Sequence, residues 1–354
     1  MCSDVEATVS PRLEAMEQIQ HPVAPLIDGH NRTVKDLRIS ITDRCNFRCS
    51  YCMPEEGMTW LERPELLSFE EIERVVKVLV QRYDFESVRL TGGEPTVRAQ
   101  LPLLVEKLSQ IKRPSGKQLD ISLTTNGATL RLMARELKAA GLTRINISLD
   151  TLSRERFIDL TKRDQLTNVL SGVEAAAGAG LVPLKINTVV MRGVNDDELV
   201  DLVAFAKQHG ATPRFIEFMP LDGDETWDLD MVVPAREIID KITSVYPAHL
   251  VSSGSDPARR FIFDDQSGEF GVIASVTMPF CDACDRMRLT ADGKLRNCLF
   301  AIEEQDLRGL LRSGASDDEI ARVVEHSAKS KWAGHQIGNV NFIRPKRSMS
   351  QIGG

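Results

Sequence analysis

The sequence contains no run of about 18 consecutive apolar residues, which is close to the minimum length of a membrane-spanning helix. Its first residues, MCSDVEATVSPRLEAMEQIQ, are acidic and include no apolar core of the kind found in secretion signals. An excess of positive charge is also missing, because 51 Asp and Glu outnumber 44 Lys and Arg and give a net charge of −7 at pH 7. We therefore expect no membrane partner and no nucleic-acid partner, since a broad nucleic-acid surface needs a basic footprint.

Two common enzyme signatures are absent as well. The sequence has no phosphate-binding loop of the form GxxxxGK followed by Ser or Thr, so ordinary phosphoryl transfer is not expected. It has no hydrolase arrangement of Ser or Cys with His. Its six histidines are scattered, and each is expected to be structural or solvated.

Cysteine is scarce but clustered. Six of the seven cysteines form two triplets, at positions 45, 49 and 52 and at positions 281, 284 and 298. An odd number of cysteines without a secretion signal is more typical of metal binding in a reducing compartment than of a disulfide framework. We therefore expect a cytoplasmic protein with metal–thiolate sites.

The hydrophobic pattern predicts an α/β fold. From residue 36, short β-branched runs alternate with amphipathic segments in six β/α units, which favours a parallel sheet with right-handed crossovers. The clearest helix follows Ser68, an N-cap residue type, with apolar residues recurring every three or four positions. The predicted strands cover 37–41, 87–92, 119–125, 144–150, 184–190 and 214–220, and the predicted helices cover 69–83, 101–111, 130–140, 167–179 and 196–209.

Unusual residues gather where the predicted strands end. In a parallel barrel the carboxyl ends of the strands share the face on which chemistry takes place, so these segments should form one mouth: Cys45, TGGEP (91–95), TTNG (124–127), SLD (148–150) and FMP (218–220). Periodicity alone leaves open whether the sheet is doubly wound or barrel-like. We divide the chain into an extension over 1–30, expected to be flexible, a barrel-like region over 31–245 and a C-terminal region over 246–354.

The first triplet, in TDRCNFRCSYCMP, has the spacing C-x₃-C-x₂-C. A tetrahedral metal site usually takes four protein ligands. Three thiolates suit an iron–sulfur cluster in which one iron stays open for another ligand. A structural zinc with a remote fourth ligand is the alternative for this spacing.

The second triplet, in CDACDRMRLTADGKLRNC, has the spacing C-x₂-C-x₁₃-C. Zinc is a stronger alternative here, because C-x₂-C is a common half of zinc sites, and His326, His335 or Cys2 could supply a fourth ligand. Two triplets that each lack one ligand favour two clusters with an open iron. Arg286 and Arg288, close behind the second cysteine, could balance thiolate charge or bind phosphate.

Four basic residues lie within predicted strands: Arg38, Arg89, Lys185 and Arg214. Parallel strands are usually buried on both faces, and an unpaired buried cation is costly. Each of the four could pair with a carboxylate or lie at an exposed strand end. Together, in a chain of net negative charge, they indicate an interior anion pocket, which with the two arginines of the second triplet would match a triphosphate.

The segment CNFRCSYC resembles the signature of the radical S-adenosylmethionine (SAM) enzymes, and GGEP at 92–95 resembles their second motif. The resemblance implies a partial (β/α)6 barrel with a C-terminal extension that carries a second iron–sulfur cluster. It implies a [4Fe–4S] cluster on Cys45, Cys49 and Cys52, whose fourth iron is chelated by SAM. It also implies SAM contacts from Tyr51, Gly92, Gly93, Glu94, Ser148 and Met219.

A narrower resemblance, to the GTP 3′,8-cyclases of molybdenum cofactor biosynthesis, covers 32–354. It rests on DLRISITDRCNFRCSYCMP, TGGEP, RFIEFMP, CDACDRMRLTADGKLRNCLF and the terminal IGG. It implies that a 5′-deoxyadenosyl radical removes the ribose 3′ hydrogen of GTP and that the carbon radical closes onto guanine C8. The implied product is (8S)-3′,8-cyclo-7,8-dihydroguanosine 5′-triphosphate.

This resemblance also implies roles for individual residues. A second [4Fe–4S] cluster would be held by Cys281, Cys284 and Cys298 and would bind the guanine through its open iron. The expected catalytic residues are Arg286, Arg288, Gly353 and Gly354, the last two reaching into the active site as the chain terminus. The expected GTP contacts are Arg38, Arg89, Thr124, Lys185, Arg214, Arg286, Met287 and Arg288.

The expected partners are GTP, a low-potential electron donor, a second copy of the chain in a homodimer, and the downstream cyclic pyranopterin monophosphate synthase. Two other functions stay open from the residues. One is a different radical SAM enzyme with an auxiliary cluster, such as a peptide-modifying maturase, although a peptide backbone needs no cation pocket. The other is a non-enzymatic zinc or electron-transfer protein.

Overall fold

A computed structural model describes residues 23–54, 58–221, 227–251, 256–335, 337 and 342–353. Within these residues the strands are β1 (Leu26–Ile27), β2 (Thr33–Val34), β3 (Asp36–Ser40), β4 (Ser87–Thr91), β5 (Asp120–Thr125), β6 (Arg144–Ser148), β7 (Leu184–Val190), β8 (Thr212–Glu217), β9 (Ala248–Val251), β10 (Arg259–Phe263), β11 (Glu269–Ile273), β12 (Arg286–Leu289), β13 (Lys294–Arg296) and β14 (Gln305–Asp306). The helices are α1 (Phe69–Tyr83), α2 (Leu101–Ser109), α3 (Ala134–Ala139), α4 (Arg154–Thr161), α5 (Leu166–Gly178), α6 (Leu199–Gln208), α7 (Ala235–Thr243), α8 (Leu307–Arg312), α9 (Asp317–Lys329) and α10 (Met349–Ile352).

The main sheet has the strand order β14-β13-β12-β3-β4-β5-β6-β7-β8-β11-β10-β9. Strands β3 to β8 are six consecutive parallel neighbours, as the β/α rhythm predicts. Two strands from the C-terminal region extend them in parallel, since β12 pairs with β3 and β11 pairs with β8. The sheet curves around a cavity, which is the partial barrel, and the C-terminal region completes both of its edges.

The six parallel strands do not have two apolar faces. In β3, Leu37 and Ile39 have no exposed surface and pack in the helix-covered core, whereas Arg38 lines the interior cavity. The same alternation places Arg89 of β4 inside, between the buried Val88 and Leu90. Alternation arises because successive side chains of a strand point to opposite faces, so the strand cations lie on the inner, cavity-facing side.

Most predicted helices exist, with corrected bounds. Helix α1 begins at the predicted N-cap, where the Ser68 side chain accepts from the Glu71 N–H. The predicted helix over 130–140 is instead a 3₁₀ turn (Leu130–Leu132) followed by the short α3. Helix α4 lies in a segment for which the sequence predicted no helix. Helix α4 packs beside the first cysteine loop. The sequence therefore failed to predict a helix that supports the candidate site.

The predicted flexible extension over 1–30 needs a correction at its end. Strand β1 pairs with β2 in an antiparallel hairpin, and Leu26, Asp28 and Arg32 are buried. Residues 1–22, including Cys2, lie outside the described part of the chain. None of the helices in the described residues combines the length and apolar character that a membrane span requires.

Candidate active site

A cavity of about 290 Å³ lies inside the curved sheet. Both cysteine triplets are on its wall, although Cys52 and Cys281 are 229 positions apart in the sequence. Many of the remaining wall side chains come from the inner faces and carboxyl ends of the strands, as predicted for a shared mouth, and others, such as Phe280, His335 and Met349, come from the C-terminal region. Wall residues that the sequence analysis named are Arg38, Tyr51, Arg89, Gly92, Gly93, Glu94, Thr124, Ser148, Arg214, Met219, Arg286 and Arg288.

The first triplet is a cluster of three free, half-buried thiols. Burial and the neighbouring Glu94 charge raise the pKa of Cys45 to about 11. Burial and the Cys45 charge raise the pKa of Cys52 to about 12. The three sulfurs are close enough to disfavour one another's ionisation, so they need a cationic partner to bind as thiolates. An iron–sulfur cluster fits this donor set, because its irons bind cysteine thiolates.

The first cysteine loop is fastened to α4 and to the GGEP turn. The Arg48 and Ser50 N–H groups donate to carbonyls at the end of α4, at 2.9 and 3.0 Å. On the other side, the Gly93 N–H donates to the Thr42 carbonyl at 2.8 Å. A Cβ added at Gly92 would lie 2.4 Å from the Thr42 carbonyl oxygen. The first glycine is therefore required for this close approach, independently of any ligand.

Glu94 is buried and its carboxylate is held by several donors. Thr125 Oγ1 and the Asn126 N–H donate at 2.6 Å, and the Thr96 N–H donates at 3.0 Å. Burial raises the pKa of Glu94, while these hydrogen bonds act in the opposite direction. The carboxylate therefore joins the GGEP turn to the end of β5, within the cavity wall.

Tyr51 is oriented by an aspartate that the sequence analysis did not name. Its hydroxyl donates to Asp150 Oδ2 at 2.6 Å, and the Val189 N–H donates to Asp150 Oδ1 at 2.8 Å. Burial raises the pKa of Asp150 to about 6. The SLD segment was predicted as a strand end in the mouth, and its aspartate lies there with Ser148. A carboxylate at a strand end was the available signal.

In the second triplet, the pKa values of two of the thiols are shifted in opposite directions. Burial raises the pKa of Cys281. Burial also acts to raise the pKa of Cys284, but the charges of Lys331 and Arg286 bring it below its usual value. Lys331 Nζ donates to Cys284 Sγ at 3.4 Å. A cation therefore already contacts this thiol, and the donor chemistry again fits a thiolate-bound cluster.

The two histidines that could complete a zinc site differ in position. His326 is exposed on α9. His335 lines the cavity, but its Nδ1 accepts from the Ile337 N–H at 3.3 Å and the ring also hydrogen-bonds the Ser275 backbone. In the part of the chain that the structure describes, no group of three or more His, Cys, Asp or Glu side chains, the two cysteine triplets included, converges on a single metal ion.

Three arginines form a row across adjacent strands. Arg288 of β12 is the register partner of Arg38 in β3, and Arg38 is the partner of Arg89 in β4. Strand β12 was not predicted, so the sequence could not place Arg288 in this row. Arg214 lies further around the barrel, opposite Gly271, where an added Cβ would approach its side chain to 3.4 Å.

Some arginines of the cavity wall have guanidinium nitrogens that donate no hydrogen bond within the described residues. Among the described residues, Arg38 Nε, Arg214 Nε and Arg286 Nη2 are buried without a hydrogen-bond partner. Burial lowers the pKa of Arg89 to about 10, and burial together with the Arg286 charge lowers that of Arg288 to about 10. A buried donor without a partner is expensive, so these N–H groups favour an anion in the cavity. Arg214 also pairs with a carboxylate, since its Nη2 donates to Asp256 Oδ2 at 2.5 Å.

Two of the residues predicted to contact GTP, Met287 and Lys185, do not line the cavity. Met287 has no exposed surface and belongs to the hydrophobic core, because alternation along β12 points it away from the cavity. Its side chain is thus not in the site. Lys185 of β7 is not part of the cavity wall. It lies near Arg214, and burial together with the Arg214 charge lowers its pKa to about 8.

The chain terminus enters the site. Helix α10 places Ile352 in a buried cluster with residues that include Met219 and Cys298. The Gly353 carbonyl accepts from Arg288 Nη1. Gly353 has φ +81°, and an added Cβ would lie 2.9 Å from Thr91 Cγ2. Gly354 lies outside the described residues.

Glu217, at the end of β8, is a structural anchor that sequence reasoning missed. Its carboxylate is fully buried. It accepts from the Val276 N–H at 2.7 Å and the Thr277 N–H at 2.8 Å, and on its other oxygen from the Ala235 N–H at 2.8 Å. One carboxylate thus joins β8, α7 and the segment that leads into Cys281.

Comparison with known proteins decides the family. Residues 39–206 match the Radical SAM superfamily, and residues 211–337 match Molybdenum Cofactor Synthesis C. A GTP 3′,8-cyclase of Streptomyces coelicolor is 49% identical over 333 residues, which is 93% of this chain and 96% of that protein. The chain belongs to the GTP 3′,8-cyclase family. A Corynebacterium glutamicum member of the family is 44% identical over 93% of this chain and 89% of its own length.

Solved structures show the same fold at low sequence identity. Streptococcus suis SuiB, in a crystal structure bound to S-adenosylmethionine, matches this GTP 3′,8-cyclase family member with a TM-score of 0.57 at 14% identity. The match covers 79% of this chain and 64% of the SuiB chain. The partial-barrel fold is therefore shared. Membership of the Radical SAM superfamily implies a [4Fe–4S] cluster and SAM.

The Glu217 anchor gives a testable prediction. Glu217→Gln should leave backbone N–H groups facing an amide instead of a carboxylate, and charge-assisted hydrogen bonds contribute about 1.5–3 kcal/mol each. We expect a clearly lower Tm and faster amide hydrogen exchange over 274–284. The exposed Glu237→Gln, which breaks a surface ion pair with Arg192, is the matched control and should change little. Equal exchange rates in both variants would contradict the anchoring role.

Proposed function

We propose that this chain converts GTP to (8S)-3′,8-cyclo-7,8-dihydroguanosine 5′-triphosphate by radical SAM chemistry, the first step of molybdenum cofactor biosynthesis. The observation that carries the proposal is the row of arginines, Arg288, Arg38 and Arg89, in one cavity with both cysteine triplets. A peptide substrate would not need this charge, whereas a triphosphate does.

The protein's own residues supply position and charge. Cys45, Cys49 and Cys52 would hold the first cluster, which together with bound SAM supplies the one-electron chemistry that yields the 5′-deoxyadenosyl radical. Glu94, Ser148 and Met219 line the adjacent wall, where the SAM amino acid and ribose would lie, with Tyr51 and the GGEP turn beside them. The barrel walls exclude water from the radical.

The substrate would lie between the triplets. Arg38, Arg89 and Arg214 would bind the triphosphate in the middle of the barrel, with Lys185 and Thr124 nearby. We further propose that Cys281, Cys284 and Cys298 hold a second [4Fe–4S] cluster that binds the guanine. Arg286 and Arg288 would contact the substrate, and Arg288 would also position the terminal glycines.

Several partners follow from this proposal. The reaction needs a low-potential electron donor, and its product would pass to cyclic pyranopterin monophosphate synthase. We also propose a homodimer and a cytoplasmic location. The six free thiols in the described residues favour a reducing compartment.

The direct test is anaerobic incubation of the cluster-loaded protein with SAM, dithionite and GTP, followed by mass and NMR identification of the product. The cyclised nucleotide and 5′-deoxyadenosine should form together. Cys45→Ser should form neither, because one ligand of the first cluster is lost. Release of 5′-deoxyadenosine without any change to GTP would overturn the substrate assignment, and a colourless, iron-free, zinc-loaded protein would overturn the cluster assignment.

The lowered pKa of Lys185, about 8, predicts a pH-dependent GTP affinity. Below this value the side chain is charged and attracts the triphosphate. Above it the proton must be taken up on binding, so the Kd should rise by up to about tenfold per pH unit. Titration calorimetry between pH 7.5 and 9.5 should show this rise in the wild type but not in Lys185→Met. The exposed Lys138→Met should behave as the wild type, and a pH-independent wild-type Kd would contradict the assignment.

Gly353→Ala tests the chain terminus. A side chain at positive φ costs about 1–2 kcal/mol, and the new Cβ would overlap Thr91, so the carbonyl contacted by Arg288 should move. We expect GTP cyclisation at least about tenfold slower, with SAM cleavage retained. Gly314→Ala is the matched control, since Gly314 has φ +80° with open space around it. Equal cyclisation rates in the two variants would show that the terminus has no part in the reaction.

A further inference from the structure

Lys331 is a buried lysine that no step of the proposed reaction uses. It follows α9 directly, and only 4% of its surface is exposed. Lysine is rarely buried to this extent unless its ammonium group is paired or hydrogen-bonded. Its position beside the second triplet is therefore informative.

The ammonium group has a partner for each of its three donors. Lys331 Nζ donates to the Arg286 carbonyl at 2.8 Å, to the Cys284 carbonyl at 3.0 Å and to Cys284 Sγ at 3.4 Å. The two carbonyl bonds fix the position of the nitrogen. The third bond directs a full positive charge at the sulfur of one cysteine in the second triplet.

The segment that contains this lysine is itself tied to the other cysteines. We call residues 331–334 the strap. Arg32 is buried and its Nη1 donates to the carbonyls of Cys281 and Ala333, both at 2.7 Å. An added Cβ at Gly334 would lie 3.4 Å from Cys281 Sγ. The strap thus runs tightly along the second triplet.

The third cysteine is connected through its neighbour. Asn297, immediately before Cys298, donates from Nδ2 to the Ser327 carbonyl at 3.0 Å and to Ser330 Oγ at 3.1 Å. All three cysteine positions are therefore linked to the end of α9 or to the strap. Lys331 is the member of this arrangement whose charged group contacts a sulfur.

We propose that Lys331 is a positioning residue of the second site, whose ammonium group orients the Cys284 thiolate and raises the reduction potential of the iron–sulfur cluster bound there. Hydrogen bonds to the sulfurs and local charge are main determinants of cluster potential. A fixed positive charge at a ligand sulfur stabilises the reduced, more negative state. This inference rests on the proposed second cluster. Its test must therefore distinguish failure of the Lys331 role from absence of that cluster.

The test uses full-length, anaerobically reconstituted protein and four variants. Lys331→Met keeps the length and apolar stem of the side chain but removes the charge and the donors. Lys331→Arg keeps both. Lys329→Met removes an exposed lysine two residues away on α9. Iron content and a dye-mediated redox titration followed by EPR are measured for each. The second-cluster signal is the one that persists in Cys45→Ser.

The expected result is a lower potential in Lys331→Met. At the wild-type midpoint potential, the ratio of reduced to oxidised second cluster should fall by about tenfold, which corresponds to 59 mV for one electron. Lys331→Arg and Lys329→Met should remain near the wild type. Loss of about half the iron in Lys331→Met alone, with Lys331→Arg fully loaded, would support the orienting role equally.

Three results would contradict the inference. A Lys331→Met protein with full iron content and an unchanged potential would overturn it while leaving the second cluster intact. Equal loss of iron in Lys331→Met and Lys331→Arg would show that the fit of the lysine stem matters rather than its charge. A wild-type protein with only about four irons per chain and no signal in Cys45→Ser would overturn the second cluster and this inference together.

Discussion

The candidate site depends on several cations that are placed inside a curved parallel sheet. Arg38, Arg89 and Arg288 lie in one row, and burial together with the charges of neighbouring arginines lowers their pKa values. An arrangement of this kind is unfavourable in the empty protein and becomes favourable when a polyanion enters. The alternation of each strand makes it possible, because the apolar residues between the arginines still form the core beneath the helices.

The C-terminal region is part of the same site rather than an added domain. Strand β12 supplies Arg286 and Arg288 beside β3, and β11 extends the opposite edge next to β8. The strap brings Lys331 to Cys284. The chain terminus then returns to the cavity at Gly353. The two cysteine triplets consequently face one volume, as the proposed two-cluster site requires.

The sequence predicted the six parallel strands, the shared mouth and helix α1 well, because strong β-branched runs and a capping box are local signals. It did not predict β12, since RMRL alternates charge with apolar residues and pairs with a strand about 250 residues earlier. The direction of the Met287 side chain follows from the same pairing, so the sequence did not reveal that it points into the core. The roles of Asp150, Glu217 and Lys331 depend on tertiary partners. Only Asp150 had a local signal, because it lies in a predicted strand-end segment.

The central claim is that the interior arginine row holds the phosphates of a nucleotide. Equilibrium binding of guanosine, GMP, GDP and GTP to the anaerobic protein, at fixed pH and ionic strength, tests this claim most directly. Our account predicts that affinity increases with each added phosphate in the wild type and that the increase is greatly reduced in Arg38→Met and Arg89→Met. Similar affinities for guanosine and GTP in the wild type would contradict it.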